Sequence, residues 1–202
     1  MKNALRQAPD VIFIGEIRDK DTMGQAIAYA QSGHLCMATL HANNSYHAMS
    51  RIITFYPLEN RPALLADLAV TLKCVISQRL VKTPSGGRVA AVEVLMNSRH
   101  IAELIEKGDL NEIKDAMENS MVPGSQTFEQ ALFELYKNDT ITLEEALASA
   151  DSANNLQQVI NNAVAAAASE EGSSEPVKSD TGTATRSVAP GSFSEFTLKM
   201  DN

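Results

Sequence analysis

The chain has 202 residues, 44% of them hydrophobic, and a formal net charge of −8, enough to bury one good-sized core and too acidic to point to nucleic acid as a partner. No apolar run approaches the ~20 residues needed to span a bilayer, and the first residues lack the pattern of a signal peptide. The charge is uneven: residues 1–96 carry ten Lys/Arg against seven Asp/Glu, a balance of +3 that suits a phosphate ligand, whereas residues 97–150 carry four against eleven, as a solvated helical surface does.

Leu5 to Asp19 reads LRQAPDVIFIGEIRD, a short apolar run closed by a glycine, a carboxylate and an arginine. Such a run, flanked by turn-prone residues, predicts a strand buried on both faces of a parallel α/β sheet. Ligands of such sheets bind just beyond the carboxyl ends of the strands, which is where Glu16 falls, and Gly15 permits close approach there. Asp19-Lys20-Asp21-Thr22 offers helix caps, and a small-residue helix follows through Ala26, Ile27, Ala28 and Ala30 to a stop at Gly33. Leu35 to Leu40 is a second apolar run, ending in Thr39-Leu40-His41-Ala42-Asn43. Strand, helix and strand make a βαβ unit with both strand tips on one sheet edge, so that Glu16 and His41 face a common crevice.

These two segments carry a family resemblance. Leu5 to Asp10 with Gly15-Glu16-Ile17-Arg18-Asp19 resembles the Walker B region of the bacterial secretion and type IV pilus ATPases, and Gly33 to Asn43 resembles their His box. Within that superfamily the chain is most similar to the PilT/PilU family of pilus retraction ATPases, on its PilU side. The resemblance covers residues 3–96 strongly and the later helices more loosely. It implies an α/β fold: the C-terminal part of a RecA-like P-loop NTPase core, with a mainly parallel sheet, followed by an all-helical subdomain and a disordered tail. It also implies an incomplete core, because no G-x-x-x-x-G-K-[ST] phosphate loop occurs anywhere in the sequence. In the family that loop lies upstream of the Walker B strand, so the expectation is a piece of a longer protein that does not hydrolyse ATP by itself.

Further along, Ser45 to Phe55 has helical spacing and stops before Pro57. A second helix is predicted from about Arg61 to Ile76, with Leu64, Leu65, Leu68, Leu72 and Val75 on its buried side. Gln78 to Val81 and Val89 to Met96 then read as a hairpin around Ser85-Gly86-Gly87. The four-Cys zinc insertion frequent in assembly relatives does not occur, which favours the retraction motors over a type II secretion or pilus assembly ATPase. Cys36 and Cys74 stand apart in apolar settings and read as small buried thiols.

From Ser98 onward the pattern is helical. Ser98 is placed to cap and Gly108 to end a helix bearing Ile101, Leu104 and Ile105, and Arg99 to Gly108 departs here from the corresponding PilT element. Thr127-x-x-Gln130 forms a capping box, Thr142-x-x-Glu145 caps a further helix, and Asp151 is placed to begin a last one to about Ala168. The expected organisation is therefore 1–96 partial ATPase core, 97–168 helical subdomain and 169–202 tail. Residues 169–190 hold almost no large apolar side chain and are expected to be disordered. Phe193, Phe196, Leu198 and Met200 read either as a docking peptide or as an inert end.

The resemblance assigns roles residue by residue. Glu16 is the catalytic carboxylate, orienting the attacking water and touching Mg²⁺ through water, because Gly15 occupies the place where other Walker B strands carry an Asp ligand. His41, which alone reads as a structural histidine, becomes a γ-phosphate sensor. Gly15, Thr39 and Asn43 belong to the nucleotide or intersubunit surface. Arg6 and Arg18 either complete that surface or pair with Asp10 and Asp19; Arg51 and Arg79 rank below them. His34 reads as a structural strand-entry residue, and His47 and His100 as surface side chains. The implied cofactors are ATP and Mg²⁺, and the implied partners are a homo-hexamer or a PilT-like motor, with the pilus platform protein of the inner membrane. The implied place is the cytoplasmic side of the pilus base. A non-catalytic adaptor that only binds a related motor is the contrasting reading.

Overall fold

The computed structural model describes residues 9–171, with side chains to residue 165; Arg6 and the tail beyond Glu171 lie outside the described residues. Strand β1 (Val11–Ile14) pairs in parallel with β2 (Leu35–Ala38), in register from Val11 opposite Leu35 to Ile14 opposite Ala38. Helix α1 (Lys20–Gln31) joins them. Asp19 accepts the Thr22 N–H at its start, and Gly33, at φ +92°, makes the left-handed exit that a side chain would resist. The βαβ unit expected from the sequence is thus present.

Its burial differs from expectation. Ile12 and Ile14 face the core, but Val11, Phe13, Leu35 and Met37 are each more than half exposed. Among the described residues, helices cover only one face of this two-stranded sheet, so the apolar side chains of the other face meet solvent.

Helix α2 (Ser45–Thr54) starts at Asn44, whose side chain accepts the His47 N–H. Helix α3 (Arg61–Thr71) is shorter than its apolar pattern predicted, for Cys74, Val75 and Ile76 begin β3 (Cys74–Lys82) instead. Two causes agree: Leu72 turns extended at ψ 137°, and Asn97 donates its side-chain amide to the carbonyls of Ala69 and Leu72, closing the helix end. The β-branched pair Val75-Ile76 suits a pleated strand better than a helix. β3 pairs antiparallel with β4 (Arg88–Met96) around Gly86, at φ +86°. Cys74 is exposed on the uncovered side of β3, not buried, whereas Cys36 is half-buried and burial raises its thiol pKa.

The rest is helical: α4 (Arg99–Lys107), α5 (Ile113–Glu118), α6 (Phe128–Lys137), α7 (Leu143–Ser149) and α8 (Ala153–Glu171). Ser98 caps α4 and Gly108 ends it in the left-handed region at φ +82°. Both bonds of the Thr127–Gln130 capping box form. Asp151 does not cap α8: Ser152 takes that place by accepting the Asn155 N–H, and α8 passes the expected end at Ala168.

Two apolar clusters result. One gathers β1, α1, α2, α3, α4 and α5 around Ile14, Met49, Leu68, Leu95 and Ile105. The other packs Val81 and Ala91 of the hairpin against Phe128, Leu132, Ala146 and Leu156 of α6–α8. The covered face of the hairpin bridges the two, and at the crossing it is polar, with Ser77 and Glu93 paired across the strands and Arg79 beside them.

Candidate functional site

Beyond the last ladder pair the strand tips stay locked together. The Ile17 N–H donates to the Thr39 carbonyl at 2.9 Å, and the Thr39 hydroxyl donates to the Gly15 carbonyl. This reciprocal clasp forces the two chain exits to leave the sheet side by side. Glu16 and His41 therefore meet: His41 Nε2 lies 3.3 Å from Glu16 Oε1.

The other carboxylate oxygen of Glu16 takes the Arg18 guanidinium, with Nε at 2.7 Å and a terminal nitrogen at 2.5 Å. Arg18 thus pairs with Glu16 and not with Asp19, which is occupied as the α1 cap. This hydrogen bond, with the charges of Arg18, His41 and Arg51, holds the Glu16 carboxyl below its ordinary pKa against the opposing effect of burial. The two partners differ in exposure: the Glu16 side chain is 20% exposed and that of His41 79%. The acid is held, and the imidazole stands at the water side, where a ligand can reach it.

Arg51, placed low by sequence, acts on the backbone: it donates to the His41 carbonyl at 3.0 Å from α2. An open hollow of about 350 Å³ lies beside it, lined by Ala42, Asn43, His47, Ser50, Arg51 and Thr54. Asn43 contributes its carbonyl, 3.4 Å from Arg79. A Cβ added at Gly15 would meet nothing within 4 Å, so no packing within the described chain demands glycine there. His34 is structural, bonded to Ser32 and set edge-on to Tyr29; His47 and His100 are exposed.

A single carboxylate is a poor cage for a cation, and among the described residues no group of three His, Cys, Asp or Glu side chains could hold a metal. Glu16 alone fits a Mg²⁺ whose other ligands come from phosphate oxygens and water, since that ion keeps several waters and takes few protein carboxylates. The arrangement offers a fixed anion, two nearby guanidiniums and an accessible ring N–H donor, a set suited to placing water against a phosphate.

The profile of a family described as "Type II/IV secretion system protein" matches residues 1–148. The "Type IV pilus ATPase PilU" of Pseudomonas aeruginosa is 52% identical over 161 residues, which is 79% of this chain and 42% of that protein. A "Twitching motility protein" of Neisseria gonorrhoeae is 35% identical over 147 residues, 72% of this chain and 39% of its own length. The chain therefore spans about two fifths of these relatives. Among solved structures, the "Crystal Structure of the Pilus Retraction Motor PilT and Bound ADP" superposes with a TM-score of 0.70 at 37% identity, over 78% of this chain and 44% of that one. The α/β arrangement is thus that of a RecA-like ATPase fold.

Proposed function

This chain belongs to the Type II/IV secretion system protein family, on its PilT/PilU branch, and we propose that it supplies the acid and the phosphate-sensing imidazole of an ATP-hydrolysing motor for type IV pilus retraction. The observation that supports this reading is the Glu16–His41 approach of 3.3 Å at the clasped strand tips. Glu16 is a weak base, since Arg18 keeps it ionised; its fitting task is to orient the attacking water and hold the outer shell of Mg²⁺, not to abstract a proton strongly. Mg²⁺, when bound, neutralises charge developing on the transferred phosphoryl group. His41 trades its contact with Glu16 for the γ-phosphate and reports occupancy through the backbone that Arg51 grips. Thr39 and Gly15 keep the two tips in register.

The phosphate loop is no part of this sequence, so the phosphate cradle has to come from other polypeptide. The motor reading places it in the longer protein and assembles six copies of that protein against the platform protein at the inner membrane. The contrasting reading is an adaptor that contacts a PilT-like motor without turnover. Substituting Glu16→Gln in a protein carrying both the phosphate loop and this stretch separates them. Hydrolysis should fall by at least about 10²-fold with nucleotide binding retained, and His41→Ala should slow hydrolysis less. Unchanged turnover in Glu16→Gln removes Glu16 from the chemistry.

A further inference from the structure

The covered face of a hairpin is ordinarily apolar, yet here it carries Arg79 and Glu93, and both are aimed at the same short loop. Arg79 lies with its guanidinium 4.0 Å from the Phe128 ring centre. From there it donates to the Ser149 carbonyl at 2.8 Å, forms an ion pair with Asp151 and reaches the Asn43 carbonyl at 3.4 Å. Asp151 also accepts the Asn44 side-chain amide at 2.9 Å. Asn44 in turn caps α2 through the His47 N–H, and Glu93 accepts the Ser45 N–H at 2.6 Å. The segment from His41 to the first residue of α2 is therefore held from outside at Asn43, Asn44 and Ser45, by groups from the hairpin and from the corner between α7 and α8. Side chains of Arg79 and Asp151 are each 23% exposed, a setting in which a charge-assisted pair keeps more of its strength than at an open surface.

We infer that Arg79 and Asp151 are positioning residues for the Glu16–His41 pair, clamping the loop that carries the imidazole to the α7–α8 corner. The packing of α6–α8 then sets where His41 stands relative to the acid, and a displacement of those helices moves it. The inference rests on the catalytic reading of Glu16 and His41 for its functional consequence, and on the contacts alone for the clamp.

Amide hydrogen exchange on the 202-residue chain tests the clamp. Asp151→Asn and Arg79→Gln should each speed exchange of the Ser45 and His47 N–H groups by about tenfold, while Leu104 and Ile105 of α4, which the clamp does not touch, keep their protection. Arg79→Lys, which keeps the charge and loses the fork, should fall between Arg79→Gln and the parent. Where Arg79→Gln unfolds the helical cluster, Asp151→Asn carries the test, since its side chain leaves the apolar packing untouched. Unaltered exchange at Ser45 and His47 in folded Asp151→Asn overturns the clamp. In a protein carrying the phosphate loop, the same variants should lower kcat about tenfold with KM for ATP unchanged. Parental kcat in both, alongside an inactive Glu16→Gln, overturns the positioning role and spares the catalytic reading; an active Glu16→Gln overturns the catalytic reading and leaves the exchange result to decide the clamp.

Discussion

Removing Lys114 tests whether the second cluster depends on a buried charge pair. Glu129, in the first turn of α6, is nearly fully buried; its Oε1 accepts Lys114 Nζ at 2.8 Å and the Ser152 N–H at 3.0 Å, while Oε2 has no partner among the described residues. At 2.8 Å the Coulomb attraction is about 6 kcal/mol for an effective dielectric of about 20. Lys114 is one-third exposed, at 34%, so solvation of its ammonium recovers part of that attraction when the pair breaks. Lys114→Met leaves the carboxylate buried without a counter-charge, and the expected loss is about 3 kcal/mol, at the low end for a broken buried pair. For a chain of this size that is a fall in Tm of about 6–12 °C. Glu129→Gln retains an acceptor for Ser152 and should cost about 1 kcal/mol. The double variant should recover about 2 kcal/mol of the summed losses, which a double-mutant cycle by urea or thermal unfolding measures. A Lys114→Met protein within about 0.5 kcal/mol of the parent refutes the reasoning, because an unpaired buried carboxylate could not be that cheap.

Two further outcomes follow from the polar seam and the strand tip. Burial raises the Glu93 carboxyl above its ordinary value of 4.5, outweighing the bond from Ser45. The folded state thus binds the proton more tightly than the unfolded one, so this group's contribution to stability is full below the unfolded pKa and lost as pH rises through the folded pKa. Glu93→Gln, which still accepts from Ser45, should melt higher than the parent at pH 7, with the advantage vanishing below about pH 4; an advantage that grows on acidification contradicts the assignment. Gly15→Ala should leave unfolding within about 0.5 kcal/mol of the parent, because its Cβ meets open space. In a nucleotide-binding form of the protein, the same change should weaken nucleotide affinity, and equal affinity in an isothermal titration would show that nothing approaches Gly15.

Much of the architecture was legible because its signals are local. Asp19, Ser98, Gly108 and the Thr127–Gln130 box each act within four residues, and each sits where the sequence placed it. The meeting of Glu16 and His41 followed from topology, since parallel neighbours end on one edge. What was missed depends on partners distant in the chain. The end of α3 is decided by Asn97, 25 residues beyond Leu72, and the helical spacing of Val75 and Ile76 misled. Asp151 resembled a cap because nothing nearby announces Arg79, 72 residues before it. By sequence Asp10 and Asp19 are the carboxylates within reach of Arg18, whereas the turn after β1 folds it back on Glu16. The unbroken apolar letters of β1 predict burial on both faces, but they record what a strand tolerates there and not what this chain lays over them.

That uncovered face has a practical consequence. Phe13, Met37 and their neighbours project from a ribbon that has two strands among the described residues, and the edge strands of so narrow a sheet offer peptide groups for further pairing. Greasy surface and open hydrogen-bonding rims on one small element favour self-association as concentration rises, so handling this stretch by itself calls for dilute solutions and low levels of salting-out ions.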